Sequence, residues 1–338
     1  MRPDGLGDVL LTGPAVRAIA AGGAAVTFLA GPAGAEAAAL LPGVGSVLTG
    51  ELPWIAPEPG PFAADAVRSL AGLVRAAQAD AAVIFTSFHQ SALPTALVLR
   101  MAGVPWIAAI SEDYPGALLD VRHRVDDDQP EVERNLSLAQ AAGFARPEGD
   151  AGRLAITAGR AGTTGAPDGP YVVVHARASV PARAPSPDRV TAMAAALAAA
   201  GNRVVVTGSA ADAPVTAAIC ARTPGAVDLG GRTSLRALAA VLAGADVVVA
   251  PNTGAAHLAA AVGTPVVSLF APVVPAVRWA PYGVPSRLLG QPGAGCAGTR
   301  ARVCPVPGHP CLDSIEPGEV VAAVAELAGT RRLAEVAR

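Results

Sequence analysis

The chain has 338 residues, 52% of them hydrophobic and 15% charged, with a formal net charge of −2. That balance excludes a disordered chain and fits two domains of ordinary size, each able to bury a core. It also supplies no electrostatic footprint for nucleic acid or an anionic surface, so no nucleic-acid partner is expected. All 25 basic residues are Arg, which with the abundance of Ala, Gly and Pro reads as the imprint of a GC-rich genome rather than a chemical requirement. No secretory signal precedes the first apolar stretch, and no uninterrupted apolar run is long enough to span a bilayer. Four cysteines in this length argue against a disulfide-built fold, and a cytoplasmic protein is the expectation.

In chain order, the first feature is MRPDGLGDVLLTGPAV, a Gly-rich turn beginning at residue 4 with only Met1–Pro3 ahead of it. A doubly wound domain normally opens with a strand feeding such a turn. Either that strand is absent, or the assigned start lies inside the gene. The second is the expectation, with a short β-branched strand encoded upstream of Arg2. Pro14 then opens a helix carrying Ala15 to Ala20. Strands are predicted at 24–30, 81–86 and 105–110, with helical spacing at 65–78 and 91–103. The stretch 147–170 is rich in Gly, Pro and Thr, holds only a short strand candidate at RLAIT, and reads as an interdomain connection. Beyond it, strands are predicted at 171–176, 202–209, 226–231, 245–251 and 264–270, with a last helix at 317–329. Near-continuous apolar strands alternating with helices indicate an α/β protein with parallel sheets covered on both faces.

Two stretches carry phosphate chemistry. In ADVVVAPNTGAAHLAAAVGTPVVSLF a buried strand ends at Ala250, Asn252, Thr253 and Gly254 form a turn, and a helix follows. Ligands of open α/β sheets bind at the carboxyl ends of strands, where free N–H groups and the helix dipole favour phosphate. Thr253 adds a hydroxyl, Gly254 allows close approach, and His257 lies on the first turn. A plain capped strand–turn–helix is the alternative. In HARASVPARAPSPDRV, Arg177 and Arg183 follow another strand, before a helix that Pro187 opens. They suit a pyrophosphate, guanidinium being a bidentate phosphate donor, or they are solvated surface residues. At a third strand end, TSFHQSALP, His89 and Gln90 would face the cleft, where they could meet a bound ligand. A helix capped by Ser87 or Ser91 explains the same stretch.

These stretches together resemble glycosyltransferase family 9, the ADP-heptose heptosyltransferase group. Residues 228–283, GLGDVLLTGPAVRAI near the start and EVERNLSLAQAAG (131–143) carry the likeness, in order, over nearly the whole chain. The resemblance implies a GT-B fold of two Rossmann-like doubly wound domains facing a cleft. It places the acceptor domain at 1–155, the nucleotide-sugar domain at 168–316, and the last helix, 317–338, back against the first domain. It implies an inverting, metal-independent transfer from a nucleotide-sugar donor (ADP-heptose or similar) to a glycan, glycolipid or small-molecule acceptor, with no cofactor and with peripheral membrane contact left open. The family's Gly-Asp pair falls on Gly7 and Asp8, so Asp8 is implied as the general base that takes the acceptor's proton. Gly5 and Gly7 are read as permitting a tight turn with room for a sugar.

The chain departs from the family in the donor loop, where Asn252 stands for the usual Asp. Arg183 stands for a Lys that contacts phosphate. Cys296, Cys304, Cys311 and His309 lie close in sequence, but seven- and six-residue spacings match no tight metal knuckle, so no metal site is expected. A GT-B nucleotide-sugar epimerase and a non-catalytic nucleotide-sugar-binding relative are the alternatives. A nicotinamide dehydrogenase is disfavoured, since the Gly-x-Gly-x-x-Gly turn with its downstream acid is missing.

Overall fold

The computed structural model describes residues 1–55, 60–125, 128–157 and 164–336. Two compact units divide the chain, Met1–Thr157 and Ala158–Arg338. Part of the expected connection, residues 158–163, lies outside the described residues. Its RLAIT segment forms no strand, although the Thr157 N–H donates to Leu40 O at 2.7 Å.

In the first unit the strands are β1 (Val26–Ala30), β2 (Val44–Thr49), β3 (Ala81–Ile84), β4 (Trp106–Ile110) and β5 (Val121–His123). β1 pairs with β2, and β3, β4 and β5 form a second ladder, all parallel. Met1–Pro3 lies between the two. Arg2 bridges Ala30 in parallel and its N–H donates to Leu29 O at 3.1 Å, while Phe85 N–H donates to Met1 O at 3.0 Å. The spatial order is therefore β2, β1, Met1–Pro3, β3, β4, β5. With Met1–Pro3 counted as the first strand, this is the 3-2-1-4-5-6 order of a dinucleotide-type sheet. Alternate residues point to opposite faces. Ile84, Ile107 and Ala109 pack on one side with Leu70, Val74, Ala96 and Leu99. On the other side Val83, Phe85, Ala108 and Ile110 meet Ala15, Ala18, Leu138 and Ala139.

The second unit repeats the plan. Its strands are β6 (Val172–His175), β7 (Val204–Thr207), β8 (Val227–Asp228), β9 (Val247–Pro251), β10 (Val266–Leu269) and β11 (Ser286–Leu289). They lie in the order β11-β10-β9-β6-β7-β8, all parallel, which is again 3-2-1-4-5-6 in chain order. β6 and β9 sit side by side at the centre, Val172 opposite Val247 and Val174 opposite Val249. Buried on both faces, they are valine runs with no polar alternation. The last helix, Pro317–Val336, buries Val320, Ala323, Val324 and Leu327 in this same core, with Met193 and Leu197 of helix Pro187–Ala199. This is the buried face that the helical spacing at 317–329 marked.

Candidate active site

An open parallel sheet has one place where successive connections leave toward opposite faces, and ligands bind there, at the carboxyl ends of the strands. In the first unit this switch point lies between Met1–Pro3 and β3, whose continuations are Asp4–Asp8 and Thr86–Gln90. In the second it lies between β6 and β9, whose continuations are Ala176–Ser186 and Asn252–Gly254.

At the first switch point Asp8 is not in a loop. It occupies the first turn of a short helix, Leu6–Leu11, formed because Val9, Leu10 and Leu11 bury against the unit's interior. The N-cap of this helix is Gly5, which has no side chain to cap it, so Asp8 is an acidic residue of the first turn rather than the N-cap. Pro14 opens a second helix, Gly13–Ala21, directly after it. Gly5 has φ −73° and ψ 176°, an ordinary extended backbone, and Gly7 lies within the helix. The expected tight glycine turn is thus corrected. A Cβ on Gly5 would meet nothing within 4 Å, so only open space distinguishes that position.

The organising residue is one that the sequence reading missed. Arg2 is fully buried, its Nε 2.6 Å from Asp4 Oδ2 and its Nη2 3.1 Å from Asp8 Oδ1 and 3.4 Å from Glu131 Oε2. Nη2 also donates to Ser87 Oγ at 2.8 Å. Burial works against the Arg2 charge, but Asp4, Asp8 and Glu131 outweigh it and hold the guanidinium above its ordinary range. Burial likewise pushes the Asp4 carboxyl up, opposed by Arg2 and reinforced by Asp8. Gln90 donates to Asp4 Oδ1 at 2.6 Å and accepts from Ser87 N–H at 2.9 Å, so both ends of its amide are engaged by the protein. Gln90 therefore braces Asp4 in this state. His89 beside it is exposed, its ring T-shaped to that of Phe88 with centroids 5.3 Å apart. Glu131 enters from the first turn of helix Glu131–Ala141, where Asn135 donates to Leu11 O at 3.2 Å. The charged spacing of EVERN inside an otherwise buried helix was the available signal for Glu131.

At the second switch point Thr253 is the N-cap of helix Gly254–Ala261 in extended conformation, and its hydroxyl makes no cap bond. Thr253 and Gly254 are partly exposed, whereas Asn252 and His257 are each 3% exposed. The Asn252 Nδ2 has no hydrogen-bond partner among the described residues. On the neighbouring strand end, Arg183 closes a short 3₁₀ turn, Pro181–Arg183, ahead of helix Pro187–Ala199, which Ser186 caps by accepting from Arg189 N–H. Arg177 faces the β7 side, 3.5 Å from Asp212 Oδ1. It lines a cavity of about 470 Å³ with Pro181, Ser186, Cys304, His309 and Asp313. The pairing of β6 with β9 thus brings the two sequence stretches of the donor reading to one sheet end.

Cys296, Cys304 and Cys311 are free thiols. Burial, with Cys296 and Cys304 close by, pushes the Cys311 thiol up to about 12. Among the described residues no group of three His, Cys, Asp or Glu side chains is arranged to hold a metal ion.

Two α/β units of one strand order, each gathering its polar side chains at its own switch point, define the GT-B class of glycosyltransferase folds. The pattern of glycosyltransferase family 9 (heptosyltransferase) matches residues 67–309, well over half of the chain, and the protein belongs to that family. Similar solved structures are E. coli ADP-heptose LPS heptosyltransferase II (20% identity, 98% of each chain covered, TM-score 0.71) and a family 9 glycosyltransferase from Veillonella parvula (14%, 96% of this chain and 95% of that one, TM-score 0.75). E. coli heptosyltransferase WaaC with ADP is another (19%, 98% and 100%, TM-score 0.67). Over 65 residues the chain is 42% identical to the lipopolysaccharide core heptosyltransferase OpsX of Haemophilus influenzae, a match spanning 19% of this chain and 18% of that protein.

Proposed function

We propose that the protein is an inverting glycosyltransferase that moves a sugar from a nucleoside diphosphate donor to an acceptor hydroxyl. The observation that carries this reading is the split of chemistry between the units, a carboxylate cluster at one switch point and arginines with a helix N-terminus at the other. Asp8, on the first unit, accepts the proton of the acceptor hydroxyl as its oxygen attacks the anomeric carbon. The bond from that carbon to the diphosphate breaks, and the electron pair leaves with the nucleoside diphosphate. In this reading Thr253, Gly254 and the N–H groups at the start of helix Gly254–Ala261, with Arg177, Arg183 and His257, take the growing negative charge. Asn252 completes that loop. Gly7, His89 and Gln90 are assigned to the acceptor side, with Gln90 acting through Asp4.

An ADP-sugar of the heptose type is the donor we favour, because the similar E. coli structures carry that name or that nucleotide. Charge stabilisation by side chains and a helix end needs no divalent ion, and the sequence has no Asp-x-Asp cluster at either switch point. Turnover should therefore survive chelator, and activity lost to chelator and restored by Mg²⁺ would contradict this. The decisive test is a thermal-shift screen with ADP-, UDP-, GDP- and dTDP-sugars. A ligand bound only by the folded chain raises the melting temperature in proportion to RT ln(1 + [L]/Kd). Stabilisation by one nucleotide series is expected, and none by any of them would overturn the reading.

A further inference from the structure

We propose that Arg2 is a positioning residue for the reaction, a buried guanidinium clamp that fixes the orientation of the Asp8 carboxylate. The inference rests on Asp8 being the base, and it concerns what makes that carboxylate competent. Asp8 is short, 27% exposed and near the start of a two-turn helix, so nothing in its own backbone selects one side-chain rotamer. Arg2 selects one. Its Nη2 holds Asp8 Oδ1 at 3.1 Å and is itself held by Ser87 Oγ at 2.8 Å and by Glu131.

The clamp is anchored from behind. The Arg2 backbone is locked into the sheet through Leu29 O, and the following Pro3 carbonyl lies so close to Gly31 that a Cβ there would sit 2.2 Å from its oxygen. Three stretches far apart in sequence thus converge on one guanidinium: the chain start with its Leu6–Leu11 helix, the β3 loop and the Glu131 helix. Arg2 is fully buried and Asp8 is 27% exposed, so the contact holds Asp8 Oδ1 from the protein side. Asp4 and Glu131 also neutralise Arg2, so the Arg2 charge remains compensated when Asp8 gives up its own by accepting a proton.

The test uses the full chain with ADP-heptose as donor and water as acceptor, ADP release as the rate, and ADP affinity by calorimetry as the control on the second unit. Arg2→Lys keeps the charge and loses the fork. Ser87→Ala removes one hydroxyl and no charge, and guards against a misfolded Arg2 variant. Displacement of a reacting group by about 1 Å costs up to about 10²-fold in rate. We expect Arg2→Lys to lower kcat by about 10–10²-fold and Ser87→Ala by roughly threefold to tenfold, with ADP affinity unchanged in both.

In an Asp8→Asn background neither change should lower the residual rate further, because Arg2 acts only through Asp8. A merely structural Arg2 would multiply the two losses instead. Crystal structures of Arg2→Lys and Ser87→Ala should show the Asp8 carboxylate turned from its position or spread over several rotamers. Full activity of Asp8→Asn would remove the base reading itself. Loss of activity in Asp8→Asn, together with unaltered kcat and an unmoved Asp8 in both clamp variants, would overturn this inference alone.

Discussion

Asp8→Asn separates a catalytic carboxylate from a structural one. The side chain is about the same size, and the asparagine carbonyl still offers Arg2 Nη2 an acceptor where the carboxylate oxygen stood at 3.1 Å. What disappears is one charge. Arg2 keeps Asp4 at 2.6 Å and Glu131 at 3.4 Å, so its own charge is not orphaned. The folded state should then lose about 1–2 kcal/mol, the difference between a charged and a neutral hydrogen bond. For a unit of this size that is a fall of roughly 2–8 °C in melting temperature. Catalysis should fall far more. General-base assistance is worth about 10²–10⁴-fold, or about 3–5 kcal/mol of barrier, and an amide cannot take the acceptor's proton. Turnover and melting temperature measured on one preparation decide between the roles. A variant that turns over within about threefold of wild type would place the base elsewhere, since so small a loss does not fit a missing general base. The exposed His89 would then be the next candidate.

Two further outcomes follow from the second unit. Arg183→Ala and Thr253→Ala should each weaken ADP binding by about 1–3 kcal/mol in calorimetry, and unchanged affinity in both would remove the donor site from this sheet end. His175, at the end of β6 and within 3.0 Å of Thr207 Oγ1, has its ring lowered by burial from 6.5 to about 4, against a smaller opposing pull from Asp212. Its unfolded form therefore binds a proton between those values that the folded form refuses. Stability is complete above pH 6.5 and is lost as pH falls toward 4, by about 3 kcal/mol in total. Urea titrations of wild type and His175→Gln at pH 7, 5.5 and 4.5 should show a steeper fall in wild type than in the variant, and parallel slopes would refute it.

The central strands were legible in the sequence because burial on both faces removes polar alternation, and runs such as YVVVHA and ADVVVAP admit few other readings. β2, β5 and β11 were not anticipated: they are mixed in polarity and partly exposed at sheet edges, where the apolar signal is weakest. The Asp8 helix was missed for a different reason. Pro14 and the glycines argued for a loop, and local propensity yielded to the burial of Val9, Leu10 and Leu11. In the candidate site the turn and loop residues were visible as motifs, since each lies at a strand end. Arg2 was not, being one of 25 arginines whose meaning depends on Glu131, 129 positions away. No local pattern encodes such a contact. The last helix shows the same limit: its apolar spacing marked a buried face, and only the tertiary structure identifies the core that buries it.

Asn252 offers a sharper question about the donor, because the amide is buried, its Nδ2 lacks a partner among the described residues, and it directly precedes the Thr253 N-cap. An unsatisfied buried donor costs about 1–3 kcal/mol, which a bound oxyanion would relieve. Asn252→Asp replaces that donor by a carboxylate beside a helix N-terminus, where negative charge is favoured by about 0.3–1 kcal/mol. The ligand-free variant should therefore melt higher than wild type. For the same reason it should bind ADP less well, since carboxylate and diphosphate compete for one positive helix end. At about 5 Å and an effective dielectric near 20, their repulsion is about 3 kcal/mol before salt screening, so a loss of roughly tenfold in affinity survives a generous discount. Scanning calorimetry and titration with ADP measure the two arms separately. A lower melting temperature would show that the amide nitrogen faces apolar surroundings, where a charge is intolerable. Unchanged or tighter ADP binding would show that this position contacts the sugar rather than the diphosphate. The loop would then select the donor by hydroxyl recognition, and the phosphate contacts would fall to Arg183 and the helix N–H groups alone.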